Sequence, residues 1–293
     1  MKKQAFQTVD ISVILPAKNE ASTIPPLIEQ LQKAVPGAEI IVVDDGSDDE
    51  TSVVSHAHGA HVIRHPYSMG NGAAIKTGAR NAKGKILVFM DADGQHDPKD
   101  IPKLLKRFEQ GFKMVVGARQ PDAHASWGRR MANLFYNRLA SIMTGYHIED
   151  LTSGFRAADA ICFRKFLYLL PNGFSYPTTS TMAFFRAGYP VTYVHIQARH
   201  RPSDSKSHIR LGKDGIRFFL IILKIGTLFS PMRLFLPMST LTFTTGLIYY
   251  AYTFMRWGKL TNMTVILFLG SLFIFLMGIL SEQISSLHYR QNE

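Results

Sequence analysis

The chain has 293 residues, of which 46% are hydrophobic and 19% are charged, and its mean hydropathy is +0.01. This composition excludes an intrinsically disordered polyelectrolyte and leaves enough apolar side chains for a folded core. The formal net charge of +11 favours polyanionic partners such as nucleic acid, anionic lipid or phosphorylated small molecules. The single cysteine, Cys162, excludes an intramolecular disulfide and suits a reducing compartment.

The first two hundred residues repeat one pattern, in which a short β-branched run is followed by a turn and a helical period. The runs that predict strands are Ile11–Leu15, Glu39–Val43, His61–Arg64, Ile86–Met90 and Met114–Val116. The helical periods between them are Pro25–Val35, Glu50–His58, Gly72–Ala82 and Pro98–Gln110. Alternation of this kind predicts an α/β domain with a largely parallel sheet.

Polar residues follow four of the predicted strands at the points where the strands end. In open α/β sheets ligands bind beyond the carboxyl ends of the strands, so these residues are the candidate site. A single polar strand end is typical of a solvated loop, but four at one edge of a sheet indicate a binding site. They are Pro16-Ala17-Lys18-Asn19-Glu20, Asp44-Asp45-Gly46-Ser47, Asp91-Ala92-Asp93-Gly94-Gln95 and Gly117-Ala118-Arg119.

The Asp91-Ala92-Asp93 triplet predicts a site for a hard divalent cation. Two carboxylates at i and i+2 on a chain that leaves a strand project to the same side. Mg²⁺ or Mn²⁺ prefers carboxylate and phosphate oxygen and keeps positions open for substrate phosphates. The triplet therefore suggests a nucleotide diphosphate held through a metal ion.

Two apolar segments near the C-terminus predict transmembrane helices. Residues 234–254 and 260–280 are each 21 residues long and contain no formal charge. Each matches the roughly 20 residues that cross a hydrocarbon core, and the alternative is a pair of buried core helices. No signal peptide is evident, and the stretch from Arg199 to Arg233 contains eight basic residues but only two acidic ones. We therefore expect the N-terminal part to be cytoplasmic. The apolar and basic residues of 216–225 predict a helix lying in the headgroup layer.

Six motifs in order resemble those of glycosyltransferase family 2, and most closely its polyprenyl-phosphate branch of dolichyl- and undecaprenyl-phosphate sugar transferases. They are Ile14–Glu20, Val42–Ser47, Met69–Ala74, Met90–Gln95, Gly117–Arg119 and Asp150–Arg156. The resemblance implies a GT-A domain with a mixed, largely parallel sheet over residues 1–208. It further implies interfacial amphipathic helices over 209–231 and two transmembrane helices within 232–293, at about 234–255 and 260–281. The implied reaction is inverting transfer of one sugar from a nucleotide diphosphate sugar to a polyprenyl phosphate.

The resemblance also implies roles for individual residues. Asp91 and Asp93 would hold the metal, Mg²⁺ or Mn²⁺, and the diphosphate, with Gln95 beside the sugar. Nucleotide contacts are implied for Pro16, Lys18, Glu20 and Asp45. Arg119 would face the acceptor phosphate or the donor sugar, and Asp150 is a catalytic candidate without a fixed role. Arg129 fits an acceptor-phosphate ligand, and Arg201 and Lys206 fit a basic loop that closes over the diphosphates.

The implied partners are a nucleotide sugar, a polyprenyl phosphate and the lipid bilayer of a cell membrane. A nucleic-acid-binding protein would explain the basic charge, but acidic strand ends would repel its phosphates. A non-catalytic scaffold or translocation partner for sugar lipids remains an alternative, as does a subunit of a polysaccharide synthase. The sequence leaves open which sugar is transferred and whether the chain forms a homo-oligomer.

Overall fold

The structure is a computed structural model that describes residues 10–119, 127–173, 175–197, 226–227 and 230–290, with the backbone alone at 127–130, 132–133 and 288–290. The chain divides into two units. Residues 1–137 and 147–215 form the first, here called the sheet unit, and residues 138–146 and 216–293 form the second, here called the hairpin unit.

A seven-stranded sheet organises the sheet unit. Its strands are β1 (Ile11–Ala17), β2 (Glu39–Asp44), β3 (His61–Arg64), β4 (Ile86–Phe89), β5 (Met114–Arg119), β6 (Arg156–Asp159) and β7 (Val191–Ile196). The strand order is β3-β2-β1-β4-β6-β5-β7, and β6 alone among them runs antiparallel to its two neighbours. This confirms the expected mixed, largely parallel sheet. All five predicted strands are present, whereas β6 and β7 were not predicted.

The helices of the sheet unit follow the predicted alternation. They are α1 (Ile24–Ala34), α2 (Thr51–Ala57), α3 (Asn71–Asn81), α4 (Ile101–Phe108), α5 (Trp127–Thr144), α6 (Ala160–Arg164) and α7 (Tyr176–Arg186), with α5 continuing into the hairpin unit. The first four match the predicted helices to within three residues at each end. The predicted Pro98 start is a 3₁₀ turn over Pro98–Asp100, capped by Asp97, whose carboxylate accepts a hydrogen bond from the Lys99 amide at 3.0 Å.

The core of the sheet unit lies where the central strands meet the helices. Strand β4 is buried throughout, and its Phe89 ring lies 4.5 Å from the ring of Phe163 on α6. On the helical side, α1 buries Ile24, Ile28 and Leu31. Burying one such side chain contributes about 1.5–3 kcal/mol, so these contacts stabilise the fold of the sheet unit.

Two long antiparallel helices, α8 (Pro231–Trp257) and α9 (Asn262–Arg290), dominate the hairpin unit. Within the described residues, one segment, Asn262–Leu287 of α9, is long and apolar enough by length and composition to cross a membrane. The same criterion does not confirm the second predicted span, at about 234–255. Helix α9 also extends further than the predicted 260–281.

Small residues line the contact between α8 and α9. They recur every seven positions: Ser239, Gly246 and Thr253 on α8, and Thr264, Ser271, Gly278 and Ser285 on α9. The Ser239 hydroxyl donates to the Ser271 carbonyl at 2.9 Å. A Cβ added at Gly278 would lie 2.8 Å from the Cβ of Phe235, so a larger residue there would push the helices apart. Small residues let the two backbones approach closely.

Polar groups at the outer surface and first turn of α8 also find partners within this unit. Four threonine hydroxyls each donate to the carbonyl four residues earlier, at 2.8–2.9 Å; they belong to Thr240, Thr242, Thr244 and Thr245. The Glu282 carboxylate accepts a hydrogen bond from the Met232 amide in the first turn of α8. The Arg233 guanidinium donates to the Ile142 and Met143 carbonyls at the end of α5.

Candidate functional site

The strand directions bring the predicted motifs to one edge of the sheet. Strands β1, β2 and β4 are parallel, and β5 has the same direction because β6 runs antiparallel between β4 and β5. The carboxyl ends of all four strands therefore lie at one edge. Because β6 is reversed, its first residue, Arg156, pairs with Phe89 and Val116 at this same edge. The Asp150–Phe155 segment that precedes β6 thus reaches the site, as its motif led us to expect, although the reversed strand that brings it there was not predicted.

The ends of β1 and β2 are joined by hydrogen bonds between their loops. The Asn19 amide donates to the Ser47 hydroxyl at 2.9 Å, and the Glu20 amide donates to the Thr51 hydroxyl at 2.9 Å. Lys18 is exposed, while Pro16 and Glu20 are half-buried. These three predicted nucleotide-contacting residues therefore lie on one braced loop with accessible side chains.

Asp45 is the anchor of the loop that follows β3. Its carboxylate is buried and accepts hydrogen bonds from the Ser68 hydroxyl and from the Met69 and Gly70 amides, each at 2.8 Å, while His65 Nδ1 lies 2.8 Å from its Oδ1. Burial raises the pKa of the Asp45 carboxyl, but these hydrogen bonds outweigh it and leave the pKa below its ordinary value. The structure thus turns Asp45 toward the protein, and its contact with a base or ribose stays a prediction.

Asp91 stands at the end of β4, where burial raises the pKa of its carboxyl. The nearby Asp93 carboxylate raises this pKa as well, whereas His96 and a hydrogen bond from the Asn71 side chain lower it in part. The backbone of Gly154 passes directly beside this carboxylate: a Cβ added at Gly154 would lie 2.6 Å from Asp91 Oδ2. A larger residue there would force the Asp91 carboxylate to turn. The Asp93 carboxylate accepts a hydrogen bond from the Gln95 amide at 3.2 Å, which shapes the turn that follows.

His96 packs beneath the acidic triplet. Its ring is buried and stacks on Phe155, with the centroids 5.1 Å apart and the planes 19° from parallel. Burial leaves the pKa of the imidazole below its ordinary value, and the neighbouring carboxylates of Asp91 and Asp93 offset this only in part. His96 therefore links the triplet to the Asp150–Arg156 segment through ring packing.

Arg119 and Asp150 form a two-pronged ion pair at the end of β5. Arg119 Nε donates to Asp150 Oδ2 at 2.8 Å and Nη2 donates to Oδ1 at 3.1 Å. Nη2 also donates to the Thr152 hydroxyl at 2.7 Å. Burial raises the pKa of the Asp150 carboxyl, but the hydrogen bonds from Arg119 and neighbouring amides lower it below its ordinary value. Such paired contacts fix the plane of a guanidinium as well as its position.

Arg156 carries a fully buried guanidinium behind this site. It donates to the Pro177 carbonyl and the Ser180 hydroxyl at 2.8 Å each, and to the Thr181 hydroxyl at 3.0 Å. Burial lowers the pKa of Arg156. The Tyr176 hydroxyl donates to the Gly154 carbonyl at 2.9 Å. Helix α7 therefore braces the Asp150–Arg156 segment from behind.

The donor set at this edge fits a divalent cation that is shared with a substrate. Within the described ranges no three His, Cys, Asp or Glu side chains group closely enough to form a metal site made by protein alone. Two carboxylates, Asp91 and Asp93, do lie together, and burial already makes the charge on Asp91 unfavourable without a cation. Mg²⁺ is usually bound by one or two carboxylates together with substrate phosphates, which is the arrangement available here.

Several predicted residues cannot be placed against this geometry. Arg201, Lys206 and nearly all of the predicted interfacial segment 209–231 lie outside the described residues, and Arg129 is described by its backbone alone. Conversely, the sequence analysis gave no site role to Asn71, Gly154, Arg156 or Tyr176. The Asp150–Arg156 motif contained two of them, but only Asp150 was assigned, because the reversed direction of β6 could not be read from its sequence.

Two family models match the chain. One, described as glycosyl transferase family 2, matches residues 12–168, and the other, described as the GtrB C-terminal hairpin, matches residues 230–287. The first model covers the strands and loops that form the site, and the second covers α8 and α9 almost entirely.

Individual proteins are similar over large parts of the chain. Glycosyltransferase AglJ of Haloferax volcanii is 27% identical over 292 residues, covering 96% of this chain and 95% of AglJ. Uncharacterized protein MJ1222 of Methanocaldococcus jannaschii is 38% identical over 170 residues, covering 54% of this chain and 70% of that protein. Among solved structures, glucosyl-3-phosphoglycerate synthase of Mycobacterium tuberculosis with Mn²⁺ and UDP-glucose is 25% identical with a TM-score of 0.61, covering 73% of this chain and 78% of that one.

Proposed function

The chain belongs to glycosyl transferase family 2, and from that premise we propose that it moves one sugar from a nucleotide diphosphate sugar to a membrane polyprenyl phosphate, with inversion at the sugar carbon. The observation that carries the proposal is the convergence of Asp91, Asp93 and the Asp150-anchored Arg119 at one sheet edge. The same chain ends in an apolar helical hairpin that matches the GtrB C-terminal hairpin.

The proposed donor site lies along the ends of β1, β2 and β4. Asp91 and Asp93 would hold Mg²⁺ or Mn²⁺, which when bound supplies positive charge to the diphosphate leaving group. Pro16, Lys18, Glu20 and Asp45 would surround the nucleotide, and Gln95 would lie beside the sugar. The likeness to a synthase solved with Mn²⁺ and UDP-glucose supports a nucleotide sugar as donor and a divalent cation as cofactor.

The proposed acceptor is a phosphate, which needs little activation. The second pKa of a phosphate monoester is about 6, so at neutral pH most of it is the dianion, which requires no strong general base. Positioning and charge stabilisation then dominate the reaction. Arg119 is suited to orient a phosphate oxygen or the donor sugar because Asp150 holds its guanidinium plane. Arg129 would receive the acceptor phosphate, and Arg201 and Lys206 would close over the diphosphate.

We propose that both helices of the hairpin cross the membrane. Helix α9 meets the length and composition criterion, and α8 packs antiparallel along it: Ser239 bonds Ser271, and Gly278 faces Phe235. If α9 crosses the membrane, a helix paired along its length spans the same depth of the bilayer. Large apolar side chains such as Leu241 and Phe273 face outward, which suits lipid. The sheet unit would then lie on the cytoplasmic side of a cell membrane, with domain limits near 208 and 231.

The test is transfer by the purified full-length chain in detergent. The experiment supplies polyprenyl phosphate, Mn²⁺ or Mg²⁺, and a panel of UDP- and GDP-sugars, and it measures nucleoside diphosphate release and product mass. We expect acceptor-dependent release with one donor and a product that carries a single sugar. Release that does not depend on the lipid contradicts the acceptor, a product with many sugars indicates a synthase subunit, and no release with any donor indicates a scaffold.

A further inference from the structure

Asn137 on α5 grips the backbone on both sides of Asp150. Its Nδ2 donates to the Glu149 carbonyl at 2.6 Å, and its Oδ1 accepts a hydrogen bond from the Leu151 amide at 3.2 Å. An amide side chain that uses both its donor and its acceptor on one short segment fixes that segment in position and in rotation. Asp150 is the residue between the two gripped peptide groups.

The gripped segment is the support of Arg119. The Asp150 carboxylate accepts hydrogen bonds from the Thr152 and Ser153 amides, at 3.0 and 3.1 Å, within its own turn. These contacts shape the turn but do not attach it to a helix. The two bonds from Asn137 attach the residues on either side of Asp150 to α5, whereas Tyr176 of α7 holds the segment further on, at Gly154. The direction in which Asp150 presents its carboxylate to Arg119 therefore depends on α5.

The position of Asn137 along the chain gives these bonds a second consequence. Asn137 is the last residue of the sheet unit before residues 138–146, which belong to the hairpin unit, and the chain returns to the sheet unit at His147. Glu149 and Leu151 follow directly after this return. The two hydrogen bonds therefore join residues of the sheet unit that lie on either side of residues 138–146 in the sequence.

We propose that Asn137 is a positioning residue for sugar transfer: it fixes the backbone around Asp150, and through Asp150 it fixes the guanidinium of Arg119. This inference rests on the proposed function for its kinetic consequence, although the contact itself does not. Loss of the grip lets the ion pair move as a unit, which costs rate because small misplacements of a positioning group slow catalysis strongly.

The kinetic test uses Asn137→Ala and Asn137→Asp in the full-length protein. The aspartate variant is isosteric, can still accept from Leu151, and cannot donate to Glu149 once ionised. For both we expect kcat to fall about tenfold or more while the KM for donor changes less than about twofold. Asn81→Ala is the matched control, because Asn81 is also a helical asparagine that donates to a backbone carbonyl, that of Thr77 in its own helix. It should leave both constants unchanged.

A double-mutant cycle separates positioning from a general structural role. In an Arg119→Ala background, Asn137→Ala should slow turnover less than about twofold, because the group it positions is gone. A further tenfold loss in that background, or an equal loss in Asn81→Ala, overturns the proposal.

Thermal unfolding provides a readout that does not need turnover. Asn137→Ala and Asp150→Ala should together lower Tm by less than the sum of their separate effects, because they remove one shared arrangement. Additive shifts overturn the proposed grip even if the protein transfers sugar. An inactive wild type with non-additive shifts overturns the proposed function and leaves the grip standing.

Discussion

The core of the sheet unit contains large side chains: Phe89, Phe155, Phe163 and Phe184 are all less than 2% exposed. In the hairpin the buried side chains are small, while Leu272 and Phe273 are more than half exposed. The first arrangement is what water selects, since burying large apolar groups supplies the driving force. In lipid that force between helices is absent and close backbone packing replaces it. The contrast is what the proposed function requires, since a sheet unit in water and a hairpin in lipid would be packed by different forces.

The two units also differ in where their charged residues lie. The sheet unit places three carboxylates and one guanidinium at one edge, those of Asp91, Asp93, Asp150 and Arg119, and Asp150 pairs with Arg119 there. The hairpin contains one acidic residue between positions 230 and 290, Glu282, and it accepts from the amide at the start of α8. We therefore expect substitutions at the sheet edge to change chemistry and substitutions on the hairpin to change insertion and stability.

The largest effect expected from this contrast is that of Asp93→Ala. The variant removes half of the carboxylate pair, and metal-ion charge stabilisation is worth several kcal/mol, or about 1000-fold in rate. Nucleoside diphosphate release should fall by about that factor, while Tm stays close to that of wild type. Asp48→Ala, at an exposed acid in the loop after β2, is the matched control and should retain full rate. Normal turnover by Asp93→Ala would show that the metal role is wrong.

The next effect compares two exposed apolar residues, one in each unit. Leu272 on α9 is 52% exposed and Ile161 on α6 is 73% exposed. Leu272→Asp should cost about 3 kcal/mol if its surroundings are lipid. Ile161→Asp should change the free energy of unfolding by less than about 0.5 kcal/mol. Membrane-fraction yield and thermal unfolding in detergent measure the difference. Equal tolerance of both variants contradicts a lipid-facing α9.

A third test places one extra methyl group in each unit. Gly154→Ala sets a Cβ 2.6 Å from Asp91 Oδ2. The carboxylate must turn away, so the Mn²⁺ concentration for half-maximal rate should rise about tenfold. Gly278→Ala crowds Phe235 in the hairpin instead, and we expect it to lower Tm without changing the metal requirement. An unchanged metal requirement in Gly154→Ala would remove Gly154 from the site.

The smallest effect concerns acid stability of the sheet unit. The hydrogen bonds to Asp45 leave its pKa below the ordinary value of 3.8 in the folded protein. The carboxyl of the unfolded chain has the higher pKa, so it binds more protons than the folded one as the pH falls below about 4. The stability that Asp45 contributes is therefore complete above that pH and is lost as the pH drops through the folded pKa. Asp45→Asn should cost about 2 kcal/mol from pH 5 to 8. The Tm difference from wild type should narrow below about pH 4, and a constant difference contradicts the assignment.

Much of the sheet unit could be predicted from the sequence because its signals are local. Strands β1 to β5 are β-branched runs bounded by turn residues, and Asp97 before Pro98 marks a helix start. Strand β6 could not be found in this way, since Arg156–Asp159 is four residues long and contains a charge at each end. Its antiparallel direction is set by neighbours distant in sequence. The contact of Asp150 with Arg119 depends on that direction, and so it could not be predicted from the sequence.

The site was predictable as a set of residues but not as a set of contacts. The acidic triplet and Arg119 were identified from their places after strands. Asn137 lies 14 positions from Leu151, Gly154 lies 63 positions from Asp91, and Arg156 lies about 25 positions from its partner Thr181. No local sequence pattern indicates contacts over such separations.

The threonine hydroxyls of α8 have a consequence for where the end of the chain lies. These hydroxyls donate to carbonyls of their own helix, which would suit contact with lipid, although a hydropathy scale counts threonine as polar. By such a scale only α9 would cross the membrane, and the C-terminal tail would then lie on the opposite side from the sheet unit. If both helices cross and the sheet unit is cytoplasmic, as proposed, the tail returns to the side of the sheet unit, and a protease added outside intact cells should not cleave an epitope placed after Glu293.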